Sequence, residues 1–401
     1  MDRRRFLTAL GCSVAASPFV TPMAFASAPW DNRLVVIILR GAMDGLDVIR
    51  PVGDPDYAGL RPTLAAADGL PLSDFWHLHP ALAPLVPLYE SGEMGAFHAV
   101  STPYRDKRSH FDGQDILEAG YGETSAMGAR DGWLNRLLQA TPGIETETAF
   151  AIGRDELKIL AGDGPVSRWS PDANLRLSSQ AQRLLEMVHH DDPLFRDASA
   201  QAIAIAHELR MNPVTGIDDD MMAEAMMGMN NRGGDHVKVA EFAAGRLRGD
   251  TRIASFSING WDTHLNQRQG LTRVLSQLSD TILTLRAGLG PVWGKTAVLC
   301  MTEFGRTARE NGTRGTDHGT DHGTGGAMIY AGGALRGGQV AGDWPGLGTA
   351  DLYQERDLMP MRDVRGLAGW VMRNQFGLDR AVIEDAVFPG LDLSSEPGFL
   401  L

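Results

Sequence analysis

The stretch RLVVIILRGAMDGLD, Arg33–Asp47, decides the class of fold. The run Leu34–Leu39 is continuously apolar and rich in valine and isoleucine, which is typical of a strand buried on both faces of a sheet. It ends in a glycine-containing loop that carries Asp44 and Asp47. The stretch therefore predicts a parallel sheet with polar loops at its carboxyl edge.

Other apolar segments extend this prediction. Met94–Val100 and the apolar parts of 251–264, 295–307 and 325–333 are predicted as strands. Between the second and third of these ranges, apolar residues recur at helical spacing and predict an amphipathic helix; they are Leu271, Val274, Leu275, Leu278, Ile282 and Leu285. A strand, a helix and a strand in succession indicate a parallel βαβ unit and an α/β fold.

The interval 141–250 has a different pattern. Segments 177–190, 198–211 and 236–247 are helical in periodicity. We expect a helical insertion or cap beside the sheet, inside an α/β domain that spans 27–401.

The first 26 residues have the features of an export signal. A charged start with Arg3 and Arg4 precedes Phe6-Leu7, an apolar stretch follows, and small residues stand before Ser27. The adjacent arginines resemble the twin-arginine signal, which predicts a periplasmic protein. The alternative is a basic tail on a cytosolic protein.

Composition excludes several classes of function. Cys300 would be the sole cysteine left after removal of a signal that contains Cys12, so no intramolecular disulfide is expected. The formal net charge of -13 argues against nucleic-acid binding. No later apolar run approaches the roughly 20 residues of a membrane span.

Polar residues gather where the predicted strands end. Five groups all follow predicted strands: Asp44, the segment 104–115, the pair Asp262 and His264, Glu303, and the glycine-rich loop 317–322. Because the carboxyl ends of parallel strands share one edge, these groups are expected to meet there. Mixed carboxylates and imidazoles suit a divalent metal ion.

Two of these motifs leave alternatives open. Asp262 and His264 lie two residues apart, so an extended segment turns both to one side, although Asp262 could instead cap a turn beside a surface histidine. Gly-Thr-Asp-His occurs twice in succession, and we prefer Asp317 and His318 as ligands, with His322 as the alternative.

The remaining candidates concern an anionic substrate. Arg105, Arg108 and Arg306 are predicted to hold its charge. Ser109 could attack an ester as a nucleophile, or could simply cap a helix. Glu303 is either a metal ligand or half of an ion pair at a helix start.

The motifs LRGAMDGLD, LHPAL, RSHFDGQD, GWDTH, TEFGRT and NGTRGTDHG, in this order, resemble the domain of unknown function 1501 family over nearly the whole mature chain. The resemblance implies the alkaline phosphatase and sulfatase superfamily. The implied fold is a three-layer sandwich, with a mostly parallel sheet between helices and a metal site at its carboxyl edge.

This resemblance also implies roles for single residues. Asp44, Asp262, His264 and His318 match metal ligands, and Ser109 stands near the nucleophile's position. The implied function is an exported, metal-dependent hydrolase of phosphate or sulfate esters. It would hold one or two divalent ions, Zn, Mn, Mg or Ca, and act on a small anionic ester.

Glu303-Phe304 stands where the superfamily has Asp-His, and phenylalanine cannot bind a metal. The alternative function is therefore an inactive relative that acts as a periplasmic binding or assembly protein. Members of the family are often encoded beside another exported protein, which predicts a protein partner.

Overall fold

The computed structural model describes residues 30–66, 68–105, 107–122, 131–141, 144, 148–152, 157–169, 234–312 and 318–401. The predicted signal peptide, the predicted helices 177–190 and 198–211, and Asp317 lie outside these residues.

Twelve strands are present in the described part of the chain. They are β1 Arg33–Arg40, β2 Ile49–Arg50, β3 Leu70–Pro71, β4 His77–Leu78, β5 Met94–Ser101, β6 Ala149–Ile152, β7 Ser167–Trp169, β8 Ile253–Asn259, β9 Thr296–Met301, β10 Gly326–Ala331, β11 Val340–Ala341 and β12 Arg362–Asp363. Nine of them form a central sheet in the order β11-β5-β10-β9-β1-β8-β6-β7, with β12 also beside β5. Strands β2, β4 and β3 form a small separate sheet.

Strand β1 lies in the middle of the central sheet. It pairs in parallel with β8 on one side and β9 on the other, so that Leu34 faces both Ile253 and Ala297. Residues Leu34–Leu39 have no exposed surface. The predicted doubly buried strand and the parallel arrangement of β8 and β9 are confirmed.

Strand β10 runs in the opposite direction. It is antiparallel to β9 and to β5, so its first residue, Gly326, lies at the edge where the parallel strands end. The loop that enters β10 therefore reaches the same edge as the loops that leave β1, β5, β8 and β9.

Eight α-helices flank the strands among the described residues. They are α1 Gly45–Val48, α2 Tyr57–Leu60, α3 Val86–Glu90, α4 His110–Ala119, α5 Trp133–Gln139, α6 Asp235–Arg248, α7 Gln267–Leu289 and α8 Val364–Phe376. Shorter helical turns cover Pro80–Leu85, Lys158–Leu160, Gly290–Lys295, Thr349–Asp351 and Val382–Val387. Helix α7 is the predicted amphipathic helix, and its six predicted apolar residues are all buried.

The two faces of the sheet have separate apolar cores. Val35, Ile37 and Leu39 pack on the side of α6 and α7. Their alternating neighbours in β1 pack on the side of α5 and α8. Side chains of a strand alternate between faces, so one apolar run serves both layers. The resulting α/β fold, with a mostly parallel sheet between helices, confirms the predicted class.

The interval 141–250 is not purely a helical insertion. It contributes β6 and β7 to the central sheet, where β6 pairs in parallel with β8. Both strands are short, and a short apolar run such as AFAI cannot be distinguished from part of a helix by its periodicity. The segment predicted as a helix at 236–247 is confirmed as α6.

In the part of the chain that the structure describes, no helix combines the length and apolar character required to cross a membrane.

Candidate functional site

Three loops and one helix start converge at the carboxyl edge of the sheet. Helix α4 begins with His110, and the loop after β8 carries Asp262 and His264. The loop after β9 carries Glu303, and the loop that enters β10 carries His322. The polar residues that follow the predicted strands thus lie together at the carboxyl edge of the sheet.

Three imidazoles surround one carboxylate oxygen. The Nε2 atoms of His110, His264 and His322 lie 3.4, 3.1 and 3.3 Å from Oδ1 of Asp262. The Nε2 atoms of His264 and His322 are 2.9 Å apart. These separations are close to the edge of a tetrahedron of ligands about 2.0–2.1 Å from a zinc ion, roughly 3.3 Å. We call these four residues the His–Asp cluster.

Each histidine of the cluster has an oxygen atom on its other ring nitrogen. Nδ1 of His110 lies 2.8 Å from Oε1 of Glu303, and Nδ1 of His264 lies 3.3 Å from Oδ1 of Asp321. Nδ1 of His322 lies 2.8 Å from the carbonyl oxygen of Arg108. Because these oxygens accept hydrogen bonds, each ring carries a proton on Nδ1 and turns Nε2 toward Asp262, where a bound metal ion would displace any second proton. Metal-binding histidines in proteins commonly have such outer partners.

The cluster passes a test of fit to a metal ion. His110, Asp262 and His322 can each offer one ligand atom within 4.8 Å of the others. Nε2 of His110 is buried and has no hydrogen-bond partner among the described residues. A donor atom that is withdrawn from water and lacks a hydrogen bond is costly unless something else binds it. A cation between these atoms satisfies that requirement.

The electrostatics of the cluster are those of a closely coupled set of charges. Burial alone would raise the pKa of Asp262, but the adjacent imidazoles of His110 and His322 and the Arg306 guanidinium hold it far below its ordinary value. The neighbouring carboxylates of Asp262 and Glu303 raise the pKa of His110 to about 9. Asp262 is therefore an anion throughout the physiological range.

Arg306 does not act as the predicted substrate-binding arginine. Its side chain is buried and donates hydrogen bonds to four backbone carbonyl groups, those of Gly41, Ala42, Trp261 and Thr320. Nη2 also donates to Oδ1 of Asp262 over 2.6 Å. Through these hydrogen bonds the guanidinium holds three loops together and positions Asp262. The same partners enclose it and keep it away from the surface.

Glu303 supports the cluster from behind. The residue is fully buried, and its carboxylate accepts hydrogen bonds from the backbone N–H of Gly41, from Gln114 and from the hydroxyl of Thr302. The predicted metal ligand therefore lies behind His110, which it orients.

Asp44, another predicted ligand, lies outside the His–Asp cluster. Its Oδ2 is 2.6 Å from Nη1 of the fully buried Arg61, and it also accepts a hydrogen bond from Gln267. Burial alone would raise the pKa of Asp44, but the Arg61 guanidinium keeps it below its ordinary value. The structure therefore pairs this carboxylate with a fixed cation.

Ser109 is the N-cap of α4, since its hydroxyl accepts a hydrogen bond from the N–H of Asp112 at 3.4 Å. Arg105 donates to the carbonyl oxygens of Thr102 and Tyr104. Arg108 has a positive φ of 55°, and its carbonyl oxygen faces His322. Among the described residues, none forms a hydrogen bond or ion pair with the Arg108 guanidinium, so it is the predicted arginine that remains available to an anion.

Of the doubled Gly-Thr-Asp-His motif, the structure places the second copy at the cluster. His318 lies beside Glu310, with 3.4 Å between Nδ1 and Oε1, and is not part of the cluster. Asp321 and His322 both take part, and the choice of His318 over His322 is corrected accordingly. The cause is the backbone of 305–307, which pairs with 321–324 and carries His322 inward.

The predicted ligands included neither His110 nor Asp321, and included His322 only as the alternative to His318. His110 follows Ser109 in the motif RSHFDGQD, where the prediction concerned Ser109. The available signal was a histidine in the segment that follows a predicted strand, as is also true of His264.

The fold and the site define the class of protein. It is an α/β protein with an imidazole-rich, carboxylate-containing cluster at the carboxyl edge of a mostly parallel sheet. Residues 91–387 match the model of a family described as protein of unknown function, DUF1501, and the chain belongs to this family. No curated protein matches the chain.

Solved structures show distant similarity. The alkaline phosphatase of the Antarctic bacterium TAB5 is 10% identical, with 76% of this chain and 92% of that chain covered and a TM-score of 0.32. A variant of that enzyme with bound magnesium is 12% identical, with 76% and 91% covered and a TM-score of 0.31. Phosphonoacetate hydrolase from Sinorhizobium meliloti is 12% identical, with 70% and 58% covered and a TM-score of 0.26.

Proposed function

We propose that this protein is an exported, metal-dependent hydrolase of phosphate or sulfate esters. The observation that carries the proposal is the His–Asp cluster, in which three Nε2 atoms and one carboxylate oxygen face a common point. The resemblance of the motifs to the alkaline phosphatase and sulfatase superfamily supports the reaction class.

The cluster is open to solvent on one side. The side chains of Asp262 and His264 are 44% and 38% exposed, whereas His322 is 17% exposed. A zinc ion held by four protein ligands can become five-coordinate in the transition state, and a substrate oxygen would reach it only from an exposed side. The exposed side is where a substrate would enter.

The donor atoms favour a transition metal. Imidazoles suit Zn(II), whereas Ca²⁺, Mg²⁺ and Mn²⁺ prefer sites made of oxygen atoms. His110, Asp262, His264 and His322 would hold one ion, and Glu303 and Asp321 would orient two of the histidines. Such an ion would supply Lewis-acid chemistry by polarising an ester oxygen.

Arg108 completes the proposed site. Its backbone carbonyl is 2.8 Å from His322, so its guanidinium is attached next to the cluster. A guanidinium can hold two oxygens of a phosphate or sulfate group in a fork, and it would offset the negative charge of the protein near the site.

The test compares two histidines of the doubled motif. We would measure metal content by mass spectrometry and hydrolysis of p-nitrophenyl phosphate and p-nitrophenyl sulfate. Wild type and His318→Ala are expected to bind nearly stoichiometric metal and hydrolyse one of the esters. His322→Ala is expected to lose both properties while remaining folded by circular dichroism.

Two results would count against the proposal. Wild type without metal would exclude the centre. Metal-loaded wild type without turnover of either ester would favour the alternative, a binding or assembly protein. The predicted co-encoded partner is part of that alternative and remains a prediction.

Export is part of the proposal and is supported by the signal-like residues 1–26. We expect a variant with Arg3→Lys and Arg4→Lys to stay in the cytoplasm of its host, because the twin-arginine export pathway recognises the arginine pair. Fractionation of cells followed by immunoblotting measures this, and periplasmic recovery of the variant would contradict it.

A further inference from the structure

A cavity lies beside the first turns of α7, near the small sheet. Its volume is about 160 Å³, and it is lined by charged, polar and apolar side chains that are distinct from the His–Asp cluster. Asp47 forms part of its wall, and Nε2 of Gln267 bonds both Asp47 and Asp44. Asp47 and its partner Gln267 therefore lie between the cavity and the buried Asp44.

His79 offers a hydrogen-bond donor to this cavity. The residue lines the cavity and is 4% exposed. Its Nδ1 accepts a hydrogen bond from the N–H of Ala81 at 3.1 Å, so the proton of the neutral ring is on Nε2. Within the described part of the chain, no residue hydrogen-bonds Nε2. Burial also lowers the pKa of His79 to about 4, so the ring is neutral at physiological pH.

The charges around the cavity leave a net positive excess. Arg50 donates to Oδ1 of Asp47 from Nε at 3.1 Å and from Nη2 at 2.7 Å. Gln267 donates to Oδ2 of the same carboxylate at 3.0 Å. Asp47 is thereby neutralised. The exposed Arg268 donates a hydrogen bond from Nη2 to the carbonyl oxygen of Thr63, forms no ion pair with a described residue, and adds a positive charge to the wall. A small anion complements this arrangement.

The rest of the wall is apolar except for Thr272, whose hydroxyl donates a hydrogen bond to the carbonyl oxygen of Arg268. Leu64, Pro80 and Ala81 line the cavity together with the carbon chains of the polar residues. A dry protein cavity of about 150 Å³ holds benzene, so this cavity suits a ligand of roughly six non-hydrogen atoms. Polar groups on one side and carbon on the other match an anion with a short hydrocarbon tail.

We propose that this cavity is a binding site for a small monocarboxylate. The carboxylate accepts hydrogen bonds from Nε2 of His79 and from Arg268, and the short alkyl chain packs against Leu64 and Ala81. The site is separate from the proposed catalytic centre and does not depend on a bound metal ion.

Equilibrium dialysis with radiolabelled butyrate at constant ionic strength tests the proposal. Wild type is expected to bind butyrate, and n-butylammonium is expected not to compete. Arg268→Gln is expected to weaken binding about fivefold, as for loss of one partly solvated charge contact. Arg273→Gln is the matched control, because it removes an exposed arginine of the same helix that does not line the cavity; its binding should equal that of wild type.

A second pair of variants locates the ligand. Ala81→Leu fills the cavity and is expected to abolish binding, whereas His322→Ala removes a cluster ligand and is expected to leave it unchanged. Binding that is lost in His322→Ala but kept in Arg268→Gln would place butyrate at the cluster and overturn the proposal. No binding to folded wild type would also overturn it, whatever the outcome of the ester assays.

Discussion

Single atoms decide how the His–Asp cluster is organised. Nδ1 of each cluster histidine faces an oxygen, and only the Nε2 atoms approach Asp262. The identity of the outer oxygen differs, since Glu303 is a buried carboxylate and Asp321 is half exposed. Buried partners hold a ring more tightly because water does not compete with them.

Glu303→Gln tests this role. The amide keeps the shape of the side chain but removes the negative charge that accepts the proton on Nδ1 of His110. We expect metal affinity to fall about 10–100-fold, as is usual when an outer partner of a metal-bound histidine is lost. Competition with a chromophoric chelator measures the affinity.

Glu310→Gln is the control for this change. Glu310 is also a buried carboxylate, but it accepts hydrogen bonds from the N–H groups of Thr63 and Leu64 and adjoins His318. Its substitution should leave metal affinity unchanged. Equal losses in both variants would mean that buried charge in general, and not orientation of His110, sets the affinity.

At the scale of elements, pairing between two loops positions the cluster. The loop after β9 pairs with the loop before β10 in a short ladder. The N–H of Gly305 donates to the carbonyl oxygen of Thr324, and the N–H of Gly323 donates to the carbonyl oxygen of Gly305. A Cβ atom on Gly323 would lie 2.3 Å from the carbonyl carbon of Arg306. Glycine is required here because two backbones approach within contact distance.

Gly319→Ala tests the contact between the loop before β10 and the loop after β8. A Cβ at Gly319 would lie 2.3 Å from the carbonyl oxygen of His264, so the two loops must separate. We expect metal affinity to fall about tenfold or more as His264 and His322 move apart. The same chelator competition measures this change.

Gly312→Ala is the matched control for that substitution. It lies in the same connection, and a Cβ there would meet no atom within 4 Å. Its metal affinity should match that of wild type. A Gly319→Ala protein that binds metal normally would show that the close approach does not position the cluster.

For the whole molecule, burial of histidines links stability to pH. His98 in β5 is buried, and burial lowers its pKa to about 4. Its Nε2 lies within hydrogen-bonding distance of the carbonyl oxygens of Gly45 and Ile49, which ties β5 to the segment that follows β1. In the unfolded chain His98 has a pKa of about 6.5, so it binds a proton at a pH where His98 of the folded chain is still neutral.

The free energy of unfolding is therefore expected to fall as the pH decreases from about 6.5 to about 4. The contribution of His98 is fully present above the unfolded pKa and amounts to about 3 kcal/mol across the window. Urea unfolding at a series of pH values measures it. His98→Gln should show a shallower decline than wild type, and parallel curves would contradict the assignment.

Local sequence patterns were sufficient to predict the central strand, helix α7 and the polar edge of the sheet. The apolar run Leu34–Leu39 and the helical spacing from Leu271 to Leu285 depend on neighbours within a few residues, so the central strand and α7 could be predicted. The location of polar groups at one edge followed from the parallel direction of the strands. Asp262 and His264 were recognised for the same reason.

The tertiary structure alone decided the membership of the cluster. His322 rather than His318 reaches Asp262 because β10 is antiparallel and its entering loop pairs with 305–307, a contact between segments that no local pattern encodes. Glu303 and Arg306 are buried, so they orient residues of the cluster and do not face solvent. The sequence by itself determined which residue types collect at the sheet edge, whereas long-range packing determined which atoms face one another.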